Sequence, residues 1–154
     1  ESQDYFELLK KSMTQLSNSK TAEEIKFNYE LHLLKLLGIQ PNLETCVHCG
    51  TDLWQKESGR IPAPKFSVPC QLDASLGGIR CQKCCISNSR SVGLHAGRLA
   101  FLRERQTRLG MDSAIRPTQN NLKELDQAFS LYFNYFFGRN IKSHTLLMEN
   151  SWKN

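Results

Sequence analysis

Two pairs of cysteines have the spacing of a metal site. The chain contains Cys46-x2-Cys49 and Cys81-x2-Cys84, and each pair can present two thiolates from one tight turn. Two such turns supply the four sulfur ligands that tetrahedral Zn²⁺ accepts. Gly50 follows the first pair directly, where a positive φ lets backbone amides face the sulfurs. We therefore predict a structural Zn²⁺ ion bound by all four of these cysteines.

Other chemistries of paired cysteines fit the chain less well. Disulfides are disfavoured by a composition typical of the cytosol, and a thioredoxin-like redox pair is disfavoured because there are two pairs and no βαβ pattern. An iron–sulfur cluster also accepts four cysteines and stays open as an alternative. Because four thiolates leave no open coordination position, a Zn²⁺ ion here would fold the segment and activate no water.

Three further residues bear on the ligand set. Cys85 adjoins Cys84 and is an alternative ligand, while His48 lies inside the first pair and Cys70 is a spare thiol between the pairs. We expect His48 to be a solvated residue of the turn. We expect Cys70 and Cys85 to be small buried residues, which is the commoner role of an unpaired cysteine.

The cysteines lie in a segment that differs in composition from the rest of the chain. Between Glu44 and Asn88 helical periodicity disappears, and the segment has too little apolar patterning to fold unaided. We therefore predict a zinc-ribbon-like module at residues 44–89, with short strands at 66–68 and 78–80. The module would be inserted in a mostly α-helical bundle formed by residues 1–43 and 90–154.

Apolar residues recur at helical spacing on the N-terminal side of the module. They predict a first helix from about Asp4 to Ser17. A second helix opens at a Thr21/Glu24 capping box and ends near Leu37, where Gly38 suits a left-handed cap. The apolar face of this second helix is wide, which predicts that it is buried over much of its circumference.

Helical signals return after Arg90. Leucines from Leu94 onward, interleaved with arginines, predict a basic amphipathic helix that ends near Gly110. An aromatic helix follows Asn120/Asn121 and ends before Gly138. A shorter helix at residues 143–148 completes the chain.

The basic helix is the candidate nucleic-acid surface. Residues 80–116 carry eight Lys and Arg against two Asp and Glu, although the whole chain has a formal charge of only +5. Arginine clusters attract phosphate backbones through counterion release and bidentate hydrogen bonds. The alternative is that the arginines form a solvated helix face. Four arginines lie within three helical turns, and Arg98, Arg105 and Arg108 project into a similar sector. The predicted DNA-binding residues are these three and Arg103.

Composition and motifs exclude several classes of protein. The chain has 154 residues, of which 40% are hydrophobic, and its apolar runs are too short for a membrane span or a secretory segment. We therefore expect a cytoplasmic protein. Phosphate-binding glycine motifs, HExxH and GxSxG are all absent from the sequence, so we expect no enzymatic activity.

The order of motifs is itself informative. A leucine-rich helix ends at Gly38, two Cys-x2-Cys pairs follow, and the sequence Gly-Arg-Asn-Ile-Lys-Ser runs from Gly138 to Ser143. This combination resembles the C-terminal part of the bacterial RecO family of DNA repair and recombination proteins, over nearly the whole chain. RecO proteins begin with an OB-fold domain, whereas this chain begins in a helix, so it looks like a fragment or a truncated relative. The 31 residues between Cys49 and Cys81 also look longer than is usual in the family.

The resemblance implies a recombination mediator of the RecFOR pathway, active in the bacterial cytoplasm at the nucleoid. Such a protein is expected to bind single- and double-stranded DNA, to anneal complementary strands and to join RecR. It is also expected to help load RecA onto DNA covered by single-stranded-DNA-binding protein. The acidic, apolar C-terminal tail of that protein is expected to dock on the helical domain.

The end of the aromatic helix is the candidate site for that tail. An acidic, apolar peptide needs a hydrophobic slot and a cation at its rim. The predicted partner-binding residues are Tyr132, Phe136, Arg139 and Lys142. Purely structural roles would also account for these residues. The aromatic stripe of residues 129, 132, 133, 136 and 137 is typical of a helical core, with Tyr135 the better exposed ring, and the two cations can cap a helix end.

Two other functions are compatible with the residues. One is a protein-interaction scaffold in which DNA is bound only by a domain outside this chain. The other is a cysteine-based redox protein, which would need one Cys-x2-Cys pair free of metal and a thiol of lowered pKa.

Overall fold

The computed structural model describes residues 2–17, 22–55, 62–66, 70–86, 91–108 and 118–138. Within these ranges the chain forms four α-helices and one small antiparallel sheet, which confirms the predicted mostly helical fold with a cysteine module. The elements in chain order are α1 (Ser2–Ser17), α2 (Ala22–Leu36), β1 (Cys70–Asp73), β2 (Gly78–Arg80), β3 (Ser91–Leu94), α3 (Ala96–Thr107) and α4 (Gln119–Phe137).

Glycines end two of the helices as the sequence predicts. Gly38 and Gly138 have φ angles of 69° and 65°, a left-handed conformation that a residue with a side chain adopts at a cost. The start of α4 lies slightly earlier than predicted, because Thr118 is its cap and accepts a hydrogen bond from the Asn121 amide at 3.3 Å. The predicted capping residue Thr21 lies outside the described residues, as does the predicted helix at 143–148.

The sheet has the order β2-β1-β3, and both outer strands run antiparallel to β1. The predicted strand at 78–80 is confirmed. The predicted strand at 66–68 is not, because Phe66 belongs to no strand and 67–68 lie outside the described residues. The helical interpretation of Leu94 is wrong, since it pairs with Cys70 in the sheet and α3 begins at Ala96. An exposed Gly93 between half-buried Val92 and buried Leu94 gives this stretch the two-residue period of a strand.

The helices and the sheet share one hydrophobic core. Phe27 of α2 lies at its centre, with ring centroids 5.6 Å from Phe101 of α3 and 5.2 Å from Phe129 of α4. The predicted core stripe of α4 is confirmed for Phe129, Tyr132 and Phe133. It is wrong for Phe136 and Phe137, which are exposed in the last turn of α4, where their rings pack on Tyr132 and Phe133 of the same helix.

Among the described elements, α1 makes extensive contacts only with α2. Phe6 and Met13 are more than 60% exposed, and Leu9 and Leu16 are also exposed. Leu9, Met13 and Leu16, together with Ile25 and Tyr29 of α2, line an apolar hollow of about 270 Å³. The wide apolar face predicted for α2 is therefore only partly covered.

Gly78 provides a test of how tightly the module is packed. A Cβ atom at this position would lie 2.6 Å from the Asn42 carbonyl oxygen and 2.6 Å from Val47 Cγ1. We expect Gly78→Ala to lower the free energy of unfolding by about 1–3 kcal/mol, since backbone must move to relieve the overlap. The measurement is the denaturant midpoint of the folded chain.

Gly97 is the matched control, because a Cβ there meets nothing within 4 Å and the residue lies in α3. Gly97→Ala should leave the midpoint unchanged or raise stability by up to about 1 kcal/mol through helix propensity. Equal midpoints for the two variants would contradict the close packing at Gly78.

Candidate metal centre

The first cysteine turn is formed by a short hairpin. The Cys46 amide donates to the Thr51 carbonyl and the Gly50 amide to the Cys46 carbonyl, both at 2.9 Å. Gly50 has a φ of 72°, as the sequence predicts. A bridge between Thr45 and Asp52 closes the hairpin. These hydrogen bonds hold the Cys46 and Cys49 side chains at one end of the turn.

The second cysteine turn follows β2 directly. Cys81 is the first residue after the strand, and residues 82–84 form a single turn of 3₁₀-helix. The Cys84 amide donates to the Cys81 carbonyl at 2.9 Å, which closes this turn. Strand β2 therefore sets the position of Cys81, and the short 3₁₀ turn sets that of Cys84.

Backbone pairing brings the two turns together. The Val47 amide donates to the Ile79 carbonyl at 2.9 Å, and the Cys81 amide lies 3.2 Å from Cys46 Sγ. The four sulfurs of Cys46, Cys49, Cys81 and Cys84 lie within 4.8 Å of one another. Cys49 Sγ and Cys81 Sγ are 3.7 Å apart, close to the separation of about 3.8 Å that Zn–S bonds of about 2.3 Å give in a tetrahedron. The four thiols can therefore hold one metal ion.

The thiols influence one another's ionisation. Thr51, through its hydroxyl and its amide, and then the neighbouring thiols lower the pKa of Cys49 to about 6. Burial and the three neighbouring thiols raise the pKa of Cys84 to about 12. Although burial raises it, hydrogen bonds from the Cys81, Cys49 and His48 amides lower the pKa of Cys46 overall, whereas burial raises the pKa of Cys81. The thiols that ionise first therefore oppose the ionisation of the others through their charge. A bound cation removes this opposition, so the chemistry of the cluster favours a metal ion.

The other two cysteines and His48 lie outside this group. Among the described residues, the group that can hold a metal ion contains only the four cysteines named above. Cys70 is buried in β1, as predicted. The prediction that Cys85 is buried is wrong: it is exposed, because it follows the 3₁₀ turn at the surface, and its thiol donates to the Cys81 carbonyl at 3.4 Å. His48 is exposed, as expected for the tip of a turn.

Arg103 connects the basic helix to the first cysteine hairpin. Its guanidinium makes two hydrogen bonds to the Glu44 carboxylate, at 2.6 and 2.8 Å. It also lies 4.4 Å from the centroid of the Trp54 ring, within the range of a cation–π contact. The Trp54 indole donates in turn to the Leu43 carbonyl at 2.7 Å. Arg103 therefore packs α3 against the module.

Two further arginines of the predicted DNA-binding set form ion pairs within the helical bundle. Arg105 is buried and donates to the Glu24 carboxylate of α2 at 2.5 Å, and Arg98 pairs with Glu124 of α4. Arg108 is exposed and forms no ion pair within the described residues. DNA binding by all four arginines stays a prediction, but three of them already have an acidic partner.

The predicted partner-binding residues are only partly within the described chain. Tyr132 is buried, and its hydroxyl donates to the Ile39 carbonyl at 3.0 Å. Phe136 is 38% exposed, with its ring centroid 4.9 Å from that of Tyr132. Arg139 and Lys142 lie outside the described residues. Tail binding therefore stays a prediction, with Phe136 the exposed member of the described pair.

These features define a class of protein: a helical domain with an embedded module in which four thiols face one another and can hold a metal ion. The family model described as "Recombination protein O C terminal" matches residues 1–145. The chain belongs to this family.

Curated relatives agree with the family match. Proteins named DNA repair protein RecO are 28% identical to the chain over 148 residues in Bacillus pumilus and over 120 residues in Symbiobacterium thermophilum. These alignments cover 94% and 77% of this chain, but 51% and 44% of the relatives. The RecO protein of Anaeromyxobacter sp. strain K is 28% identical over 122 residues, which are 79% of this chain and 43% of that protein. The chain spans about half the length of the curated relatives it matches.

No solved structure gives a significant match to the chain. Within the part of the chain that the structure describes, no helix is both long and apolar enough to cross a membrane.

The ion pairs of α3 predict different effects for neighbouring arginines. We expect Arg105→Ala to lower the free energy of unfolding by about 1–3 kcal/mol, because it removes a buried guanidinium from its contact with Phe101 and leaves the partly buried Glu24 carboxylate without this partner. Arg108→Ala is the matched control and should change stability by no more than about 0.5 kcal/mol. Denaturant unfolding of both variants is the measurement, and equal stabilities would contradict a structural role for Arg105.

Proposed function

We propose that this chain is the helical, zinc-binding part of a RecO-type recombination mediator, and that it binds DNA and partner proteins without catalysing a reaction. The observation that carries the proposal is the family match over residues 1–145. The relatives are named as DNA repair proteins, which favours a DNA repair role for this chain. The four facing thiols support the metal-binding part of the proposal.

Zn²⁺ is the proposed ion. Four thiolates match the sulfur preference of Zn²⁺ and complete a tetrahedral shell. In a cluster of several irons the thiolates bind different metal atoms and are spaced more widely than ligands of one ion, so sulfurs within 4.8 Å favour a single ion. A bound ion would cross-link the module. Its four cysteine ligands would join the first hairpin to the turn that follows β2.

Metal analysis tests this assignment. We expect the purified chain to contain one Zn²⁺ and Cys46→Ser to lose it, together with the fold of the module, because the binding free energy contributes to folding. Cys85→Ser is the matched control, since Cys85 is an adjacent, exposed thiol outside the four-sulfur group. Metal content per chain and circular dichroism are the measurements. Full zinc content in Cys46→Ser, or a wild-type chain without zinc, would overturn the assignment.

We place the proposed DNA contact at the C-terminal end of α3. Arg108 is exposed there, and the Arg103 side chain, five residues earlier in the helix, remains 25% exposed despite its bonds to Glu44. Arg98 and Arg105 would have to give up ion pairs to reach a phosphate. Arg108 is therefore the residue of the predicted set that offers its full charge to DNA without a loss of packing.

Salt-dependent DNA binding tests this contact. We expect Arg108→Ala to weaken binding of single-stranded DNA and to reduce the slope of log affinity against log salt by about 0.7, the value of one phosphate contact. Lys11→Ala is the matched control, because Lys11 is an exposed cation on α1. Equal effects of the two substitutions would indicate long-range charge and not a contact. Absence of DNA binding by the wild-type chain would favour the scaffold function.

Protein partners form the second part of the proposal. The exposed Phe136 ring, packed on buried Tyr132, offers an apolar surface at the end of α4. Arg139 and Lys142 follow directly in the sequence and would supply the cations that an acidic tail requires. We therefore propose the tail of single-stranded-DNA-binding protein as the ligand of this end of α4. Binding to RecR is proposed from family membership alone.

A further inference from the structure

We propose that the buried ion pair between Asp73 and Arg80 positions the second cysteine turn for metal binding. The proposal rests on the metal site described above and assigns a role to two residues that are not ligands. Arg80 directly precedes the ligand Cys81, and Asp73 lies at the other end of the same hairpin. Both side chains are at least 89% buried, since they are 11% and 2% exposed.

Asp73 is held rigidly at the hairpin turn. One carboxylate oxygen, Oδ1, accepts hydrogen bonds from the Ser75 amide at 2.9 Å and the Leu76 amide at 3.2 Å, and also from the Ser75 hydroxyl. The other oxygen, Oδ2, accepts from Arg80 Nε at 2.6 Å. Asp73 therefore ties the turn between β1 and β2 to the arginine at the end of β2.

Arg80 extends this connection to the last metal ligand. Its Nη1 atom donates to the Cys84 carbonyl at 3.5 Å, so the guanidinium contacts Asp73 on one side and the Cys84 backbone on the other. A planar guanidinium can hold two acceptors in fixed directions at once. The side chain thus spans the distance from the hairpin turn to the residue that carries the fourth thiol.

The second cysteine turn is also held just beyond its end, where the Gln71 side chain exchanges two hydrogen bonds of 2.8 Å with the Ile86 backbone and the Cys85 thiol donates to the Cys81 carbonyl. Residues 82–84 themselves have few other restraints. Among the described residues, the backbone bonds of this turn are the Cys84 amide to the Cys81 carbonyl and a longer one, at 3.4 Å, from the Cys85 amide to the Gln82 carbonyl. No side chain caps this three-residue turn, and Cys84 is partly exposed. A ligand that is positioned before the ion arrives loses less conformational freedom on binding. The contact from Arg80 therefore favours metal affinity.

A simple charge effect is the competing hypothesis. Four thiolates around a divalent cation carry a net charge of −2. A nearby guanidinium would stabilise this negative charge whatever the orientation of the guanidinium plane. Arg80→Lys separates positioning from charge, because an ammonium keeps the charge but cannot serve both acceptors in the geometry of the guanidinium fork. Arg80→Met removes both the charge and the fork.

The experiment measures the Zn²⁺ affinity of the full chain by competition with a chromophoric chelator. We expect Arg80→Met and Arg80→Lys to weaken binding about ten- to a hundredfold, the usual effect of losing a partner that orients a ligand. The visible spectrum of the Co²⁺-loaded chain should also change, because it reports ligand geometry. Arg105→Met is the matched control, since it breaks a buried ion pair outside the metal centre and should leave both readouts unchanged.

Each contrary result has a distinct meaning. Wild-type Zn²⁺ affinity in Arg80→Lys would show that the charge of Arg80 is sufficient, and would overturn the positioning role. Equal losses of Zn²⁺ affinity in Arg80→Met and Arg105→Met would show that the effect comes from lower stability of the whole fold, and would also overturn it. If the wild-type chain binds no metal, the proposed metal site fails and this inference fails with it. If the Arg80 variants do not fold, Asp73→Asn replaces them, because asparagine still accepts from the turn amides but releases the arginine. Unchanged affinity and spectrum in Asp73→Asn would then overturn the proposal.

Discussion

The structure depends on backbone pairing between the segment after α2 and strand β2. The Asn42 amide donates to the Gly77 carbonyl at 2.9 Å, the Ile79 amide to the Asn42 carbonyl at 3.0 Å, and the Val47 amide to the Ile79 carbonyl. These bonds join parts of the chain that are more than 30 residues apart in sequence. They bring the two cysteine turns face to face, and they require a residue without a side chain at Gly78.

This pairing also explains how a sparse segment is ordered. The module has few apolar side chains of its own, but Leu53, Trp54, Leu72 and Ile79 all join the core that the helices form. Its stability therefore has two sources, burial against the helical bundle and the cross-link that a metal ion would supply. Arg103 adds a contact at the surface, where Glu44 and Trp54 receive its guanidinium.

The grouping of the four cysteines could be predicted from the sequence because the geometry of each pair is local. A Cys-x2-Cys pair fixes its own turn, and Gly50 and Gly78 mark places where the backbone must bend or approach closely. Helix ends at Gly38 and Gly138 were predictable for the same reason. Strand β3 could not be predicted, because a strand of four residues is stabilised by its partner β1 and because Leu94 also fits a helical pattern.

The use of the arginines could not be predicted in the same way. Helical spacing places Arg98 and Arg105 on one sector, but it does not reveal that Glu124 and Glu24 from other helices face them. The same holds for Asp73 and Arg80, whose pairing depends on the turn of a hairpin. Charge along a sequence gives the number of cations. Their availability to a ligand depends on which acids the fold brings near, and that is a property of tertiary structure.

A single residue, His95, separates β3 from α3. One residue contributes two soft backbone torsions, so the end of β3 places the start of α3. The helix that carries Arg108 therefore begins beside the strand next to β1, and β1 pairs in turn with the strand that leads to Cys81. An insertion between β3 and α3 would lengthen this short covalent path between the cysteine module and the helical bundle.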